Sequence, residues 1–437
     1  MVEPKNALDV AQPAHAELEM LQHKSFSYFL HETNPDNGLV IDKTAADWPA
    51  SIAATGFALA AYPVAVERGF MPRAVAVRRT LTTLRFFWNS PQGSEPDATG
   101  YQGFYYHFLN MRTGRRAWQC ELSTIDSTFL LAGALTAGAY FDGDTPDEHE
   151  IRNLAEALYC RADWQWAQDG GATVTHGWKP ESGFLKCRWE GYDEAMLLYI
   201  LGLASPAYPL PENSYAAWTS TYKWEHCVTD MNIFTPGRYS RTNSRISGLI
   251  FAAFKTLSCA ARASTISRTA VARLMCNNCT RWTTHSSSSA MAAIAGELPR
   301  ATAPAPTRPK YAGSSASSSI TWDEACRPDD GTIAPWAAVT SLPFAPEIVL
   351  PAMDYYINQV KLTQLNPYGF KATFNPTYPV KSGNPYGWVS PWHYGLNQGP
   401  IVLMIENYRT GLVWRLMREC PYIASGLRRA GFGRGWL

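Results

Sequence analysis

The stretch STIDSTFLLAGALTAGAYF, Ser123 to Phe141, is apolar on nearly every side of a helical wheel once its first turn is passed. A helix of that kind cannot lie on a surface, because it has no polar face to offer water. It needs other helices around it, so it predicts an inner layer wrapped by an outer one. DTPDEHEIRNLAEALYCRADWQWAQ, which follows, has the complementary pattern, with Ile151, Leu154, Ala155, Leu158 and Tyr159 along one face and charges opposite. Its start is marked three ways: Thr145 as N-cap, Pro146 at the first helical position, and Glu148 closing a capping box.

Further helices are expected at roughly 14–32, 51–68, 73–88, 192–203, 346–360 and 399–420. Few segments alternate with period two, so the chain is expected to be all-α. Two concentric helix layers make an α/α toroid, whose loops at one end can surround a cleft. A single such domain is expected over 18–437, after an N-terminal extension at 1–17 and interrupted at 236–327.

Composition narrows the function. Among 437 residues, 46% are hydrophobic and 13% aromatic, with 16 Trp, 22 Tyr and 18 Phe. Most of these rings serve packing. A weakly charged chain this rich in Trp and Tyr also suits sugar binding, because C–H faces of pyranoses lie on aromatic rings. The net charge is +1, but Met231–Trp322 holds 11 Lys and Arg against one acid, Glu297, so that window carries +10 and the remainder −9. The remainder is acidic, which argues against a nucleic-acid partner. No run reaches the ~18–20 apolar residues of a membrane span, and the first residues show no apolar secretory core. The compartment stays open, and a monomer is expected.

Two acid-bearing stretches begin helices. In CELSTIDSTF, Ser123 reads as an N-cap, with Asp126 three residues on and Glu121 just before. In RWEGYDEAMLLYILG, Asp193 and Glu194 fall in the first turn of an apolar helix. Such acids also answer free N–H groups and the helix dipole. Their joint placement at inner-helix starts would bring paired carboxylates to one mouth, where acid and base work on a glycosidic bond is possible. Around them lie the aromatic and polar loops GYQGFYYHFLN (Tyr105, His107), THGWKPESGF (His176, Trp178), PDDGTIAPW (Asp330) and GWVSPWHYGLNQGP (Trp388, Trp392, Tyr394, Gln398). The 9 His form no H-x-x-x-H pair, and no phosphate loop or nucleophile elbow is present, so neither metal nor cofactor is expected.

The phrases FSYFLHETNPDNGLVIDK, GFYYHFLNMRTGRR, ELSTIDSTFLLAGALTAGAYFD, GYDEAMLLYILGLASP, PDDGTIAPWAAVTSLPFAPEIVLPA and GPIVLMIENYRTGLVW resemble the glucoamylase-like family that includes the endo-β-1,2-glucanases of glycoside hydrolase family 144. That family is related to a domain of cyclic β-1,2-glucan synthases. The resemblance covers about 18–234 and 328–432. It implies an (α/α)6 barrel acting on glucans without a metal or other cofactor, with Glu194 as general acid and Glu121 and Asp126 as site carboxylates. It also implies substrate contacts from Tyr105, His107, Trp178, Tyr192, Asp193, Asp330, Trp388, Trp392, Tyr394, Gln398 and Glu406. Asp193 stands where the pattern leads one to expect Asn. The expected activity is that of an endo-β-1,2-glucanase, the alternatives being an inactive product with residual glucan binding and a transglycosylase.

Between the two resembling parts nothing matches, and a change of reading frame explains the loss. Joining the third base of each plausible codon to the first two of the next turns GRYSRTNSRISGLIFAAFK, Gly237–Lys255, into PLFTHQFSHIWIDFRGIQ. CNNC becomes QQL, and TRWTTHSSSSAMAAIAGELPRA becomes AMDNPLEFERYGRHCWGITAS. Finally, TAPAPTRPKYAGSSASSSITW permits DGPGPDTTKVRGIVREFFDYV. These strings resemble the family's SHIWIDFRG and YG-x-HCWGITASDGPG motifs. A one-base slip near Thr235 and Pro236, undone near Cys326 and Arg327, is therefore expected, with an incomplete barrel and weak or no activity as its consequence. The C-x-x-C of Cys276 and Cys279 then reads as an accident of frame, not a zinc knuckle.

Overall fold

The computed structural model describes residues 7–191, 193–220, 223–226, 232–235, 333–376, 378, 380 and 387–433. The interrupted segment 236–327, together with Tyr192 and Asp330, lies outside the described residues. Thirteen helices are described: α1 Ala7–His31, α2 Ile52–Glu67, α3 Arg73–Asn89, α4 Thr124–Tyr140, α5 Pro146–Arg161, α6 Trp164–Ala167, α7 Met196–Ala204, α8 Ser214–Thr219, α9 Pro335–Thr340, α10 Pro346–Asp354, α11 Gly395–Arg409, α12 Leu412–Glu419 and α13 Pro421–Arg429. The fold is the expected (α/α)6 type.

The inner layer is visible as unbroken burial. Ile52 to Ala65 of α2, Thr124 to Ala137 of α4 and all of α7 are buried, as is nearly all of α11. α2 lies between α4 and α11, while α1 backs α11, α3 and α5 pack together outside, and α13 backs α7. Two glycines set the α2–α4 spacing. A Cβ on Gly133 would sit 2.0 Å from the Gly56 carbonyl oxygen, and one on Gly56 2.4 Å from that of Phe129. Only hydrogen at both positions lets the two backbones touch.

α5 carries the expected amphipathic face, with Leu154 only partly buried. The Thr145 hydroxyl accepts from the Glu148 amide, but the capping box is not completed. The Glu148 carboxylate turns instead to Arg73, at 2.9 and 2.8 Å, and to the Gly143 amide at 2.7 Å. A charged partner outcompetes a local amide.

Three boundaries differ from expectation for local reasons. α1 begins at Ala7, so it runs through the expected domain boundary at Leu18. The helix expected over 399–420 is two, because Gly411 takes φ +70° and stops α11 before α12 begins. The helix expected over 346–360 ends as a π turn at Tyr355–Gln359, after Pro351.

Short strands were missed. They are β1 Ala50–Ser51, β2 Gly100–Tyr101, β3 Phe104–Tyr106, β4 Phe108–Leu109, β5 Leu122–Ser123, β6 Gly177–Lys179, β7 Gly183–Phe184, β8 Lys223–His226, β9 Asn232–Thr235, β10 Phe374–Asn375 and β11 Trp388–Val389. An antiparallel sheet runs β2-β3-β5-β6-β7, β1 pairs with β4, β8 with β9 and β10 with β11. At two to four residues each, these are too short to show an alternating pattern. They matter because β1 and β5 run directly into the N-termini of α2 and α4.

Candidate active site

Three inner helices begin around one histidine. Ser51, at the end of β1, caps α2 by accepting from the Ala54 amide, and Ser123, at the end of β5, caps α4 by accepting from the Asp126 amide. The Ile52 amide donates to the His107 carbonyl, and the His107 amide donates to that of Glu121. α11 joins from the far end of the chain, where the Gly395 amide donates to the Asp42 carbonyl and Lys43 bridges Tyr394. Their positive N-terminal ends thus converge where carboxylates gather.

The His107 ring stands between two of those carboxylates. Its Nδ1 lies 2.9 Å from Glu121 Oε1 and its Nε2 3.6 Å from Asp126 Oδ2. The Ser123 hydroxyl also donates to Asp126 Oδ2, at 2.5 Å. Burial opposes a charged imidazole here, but Asp126, Glu121 and Asp42 outweigh it and raise the pKa to about 9. The reciprocal effect acts on Glu121, where burial pushes up but the bond to His107 and its charge win, leaving the carboxyl below its usual range. His107 and Glu121 each keep 30% of their side chains exposed, so the pair faces solvent.

Asp42 completes the group and escaped sequence reasoning. Its Oδ2 accepts from Trp48 Nε1 at 3.1 Å. Burial raises its pKa, against the charge of His107. The signal was present, since the resembling phrase FSYFLHETNPDNGLVIDK ends on Asp42 and Lys43. Beside it, Lys43 Nζ sits 3.6 Å from the centre of the Trp48 ring and 5.7 and 5.6 Å from those of Trp392 and Tyr394.

A second carboxylate pair stands at the neighbouring inner helix. α7 begins at Met196, so Asp193 and Glu194 lie in the turn before it and not in its first helical turn as expected. Asp193 Oδ1 accepts from the Ala195 amide and from Trp218 Nε1, both at 2.9 Å, and burial raises its pKa to about 7. Glu194 is buried, with only 7% of its surface exposed. The turn is tied to the α4 start: Trp218 stacks on Tyr199, the Tyr199 hydroxyl donates to the Trp189 carbonyl, and Trp189 Nε1 donates to Thr124 Oγ1. The His176 ring stacks on that of Trp189 at 3.8 Å, and burial lowers its pKa.

Other expected contacts lie elsewhere. Tyr105 is fully buried, with its hydroxyl donating to the Phe87 carbonyl and accepting from Arg161, so it serves the core and cannot meet a ligand. Glu406 is likewise a structural acid. It is fully buried, ion-paired to Arg68 at 2.8 Å and bonded to Gln22 and Thr410. It sits near the C-terminal end of α11, eight residues and so about 12 Å from Gln398 near the start of that helix. Gln398 is itself buried and donates to the Phe370 carbonyl. Trp178 is half-buried beside Tyr101 and Trp166, and Trp388 is half-buried in β11. A hollow of about 480 Å³ on the outer face of α3, lined by Asp36, Arg85 and Phe86 among others, has a single carboxylate and lies away from the mouth. Among the described residues no group of three or more His, Cys, Asp and Glu could hold a metal ion, and no helix is long and apolar enough to cross a membrane.

A family model described as putative glucoamylase matches residues 186–237 and 282–421. Those two stretches resemble that family. It is 26% identical over 455 residues to an exo β-1,2-glucooligosaccharide sophorohydrolase (non-reducing end) of Parabacteroides distasonis, covering 94% of this chain and 57% of that relative. The chain thus spans little more than half the length of the curated relative it matches. A solved putative glucoamylase of Bacteroides uniformis superposes with TM-score 0.76 at 26% identity, each chain fully covered. An endo-β-1,2-glucanase of Chitinophaga pinensis, in complex with sophorotriose and glucose, superposes with TM-score 0.76 at 20% identity over 97% of this chain and 99% of that one. The last likeness concerns the fold alone. The family match leaves out residues 238–281, within the segment whose frame is in question, and resumes at 282, still inside it.

Proposed function

We propose that this chain is built as a β-glucan hydrolase of the endo-β-1,2-glucanase type. The observation that carries the reading is the Glu121–His107–Asp126 cluster, set at inner-helix N-termini beside the turn that bears Glu194. In the proposed reaction the Glu194 carboxyl gives its proton to the leaving glycosidic oxygen. Water adds to the anomeric carbon, and its proton passes directly or indirectly to a carboxylate of the cluster, Glu121 or Asp126. Glu194 is enclosed, which keeps bulk water away from the proton it would transfer. The name of the Parabacteroides relative supports β-1,2-linked glucan as the substrate class, and Asp193, Trp392 and Tyr394 remain its proposed contacts within the described residues. Tyr192 and Asp330 complete the proposed set.

A second reading has its own support. The +10 charge of Met231–Trp322 and the family-like strings hidden in the neighbouring frame favour a damaged product that retains at most glucan binding. Both readings are tested by assaying reducing-end release from β-1,2-glucan with the chain as given, a frame-restored chain, and its Glu194→Gln variant. Restored activity that falls by about 10²–10⁴-fold in Glu194→Gln supports the acid assignment. Undiminished activity in that variant removes it, and full activity in the chain as given sinks the damaged-product reading.

A further inference from the structure

We propose that Trp118, backed by Trp48 and Lys43, is a stacking platform for one glucosyl ring of the bound chain, at a subsite next to the Glu121–His107–Asp126 cluster. The inference rests on the glucan reading above and extends it to residues with no role so far. Trp118 is the most exposed tryptophan among the described residues, at 57%. Loose loops often expose such a ring, but this one is clamped. Ala117 donates to the Phe108 carbonyl, Cys120 to the Ala117 carbonyl, and Lys179 Nζ to that of Gln119 at 3.0 Å. Arg116 fixes the same segment by bonding the Cys120 carbonyl and pairing with Glu181 at 2.6 Å.

The backbone is also held in an uncommon shape. Trp118 and Gln119 have φ of +55° and +53°, and Asp47, next to Trp48, has +54°. Left-handed geometry at successive side-chain-bearing residues is kept only where surroundings impose it, and it gathers at ligand-binding positions. Here it holds an indole in water that could otherwise turn inward.

The neighbouring groups give the platform a chemistry. Trp48 meets Trp118 edge-on at 4.7 Å, and Phe108 supports Trp118 from 5.4 Å. The Trp48 N–H is committed to Asp42 and the Lys43 ammonium covers the Trp48 ring, so Trp118 is left to offer its face. A sugar's C–H face would lie on Trp118, and Lys43 could donate to its hydroxyls. Phe108 stacks on the His107 ring at 3.9 Å and meets Trp118 at 5.4 Å, so a continuous row of rings leads from the cluster to the platform.

The test is calorimetric titration with linear β-1,2-linked glucooligosaccharides, performed on the frame-restored chain carrying Glu194→Gln so that binding is read without turnover. Trp118→Ala should weaken binding about five- to tenfold, the loss expected of one stacked ring. Trp118→Phe should recover most of it, and Trp88→Ala, on the distant α3, should bind like the parent. Equal affinity for parent and Trp118→Ala overturns the platform while leaving the glucan reading in place. Absence of binding by the parent overturns both.

Discussion

Replacing His107 with Gln removes a positive charge from between two carboxylates, and the pH dependence of the loss can be worked from the structure. The imidazole moves from its ordinary 6.5 to about 9 on folding. At about 1.4 kcal/mol per pKa unit, a shift of that size corresponds to roughly 3 kcal/mol. Solvent reaches 30% of both His107 and Glu121, so screening reduces it to about 1–2 kcal/mol. Because the folded pKa is the higher one, the stabilisation is fully present below pH 6.5 and disappears as pH rises through 9. Glu121 shifts the opposite way, so its contribution is lost only on acidification and does not enter this window. Urea unfolding of the parent and of His107→Gln should therefore differ by about 1–2 kcal/mol more at pH 6 than at pH 9.5. A difference that is the same at both pH values would show that His107 is not held as an imidazolium, and the reasoning about the cluster would fail with it.

Asp193→Asn should act in the other direction. Burial lifts the Asp193 pKa to about 7, so ionisation above that value opposes folding, and stability falls as pH rises from about 4 to 7. The amide oxygen of Asn can still accept from Trp218, and the variant should show a higher urea midpoint than the parent at pH 8 but not at pH 4. Glu406→Gln should cost about 3–5 kcal/mol at neutral pH, because it leaves the Arg68 charge without its buried partner. A loss under 1 kcal/mol in urea unfolding would show that water reaches Arg68 once the acid is gone.

Helix burial was largely legible in the chain. α2, α4 and α7 are apolar all round, and a segment of that composition has one physical solution, an inner position. The cap at Ser123 was legible too, because it precedes a long apolar run, whereas the matching cap at Ser51 was not singled out. What the sequence hid was non-local. His107 is joined to Glu121 and Asp126 by strands of two or three residues, too short for a periodic signal. Asp42 was quoted within a family phrase yet drew no notice, because nothing local marks an acid whose partners are a tryptophan six residues on and a histidine some sixty residues away. Tyr105 and Glu406 were misplaced for the converse reason. An aromatic-rich loop and a helix-borne acid look alike whether their partners are ligands or Phe87, Arg161 and Arg68.

The bond from the Gly395 amide to the Asp42 carbonyl, with the Lys43–Tyr394 bridge beside it, joins segments about 350 residues apart in the chain. Its consequence lies in the order of synthesis. Glu121, His107 and Asp126 leave the ribosome well before the wall that Tyr394 and α11 supply, which follows some 270 residues after Asp126. Until then α2 has one inner flank without its neighbour, and its apolar surface must wait in contact with water or a chaperone. A ring closed by segments so far apart in the chain has no partly finished form with a working mouth, so a fault between them is felt at the place where they meet.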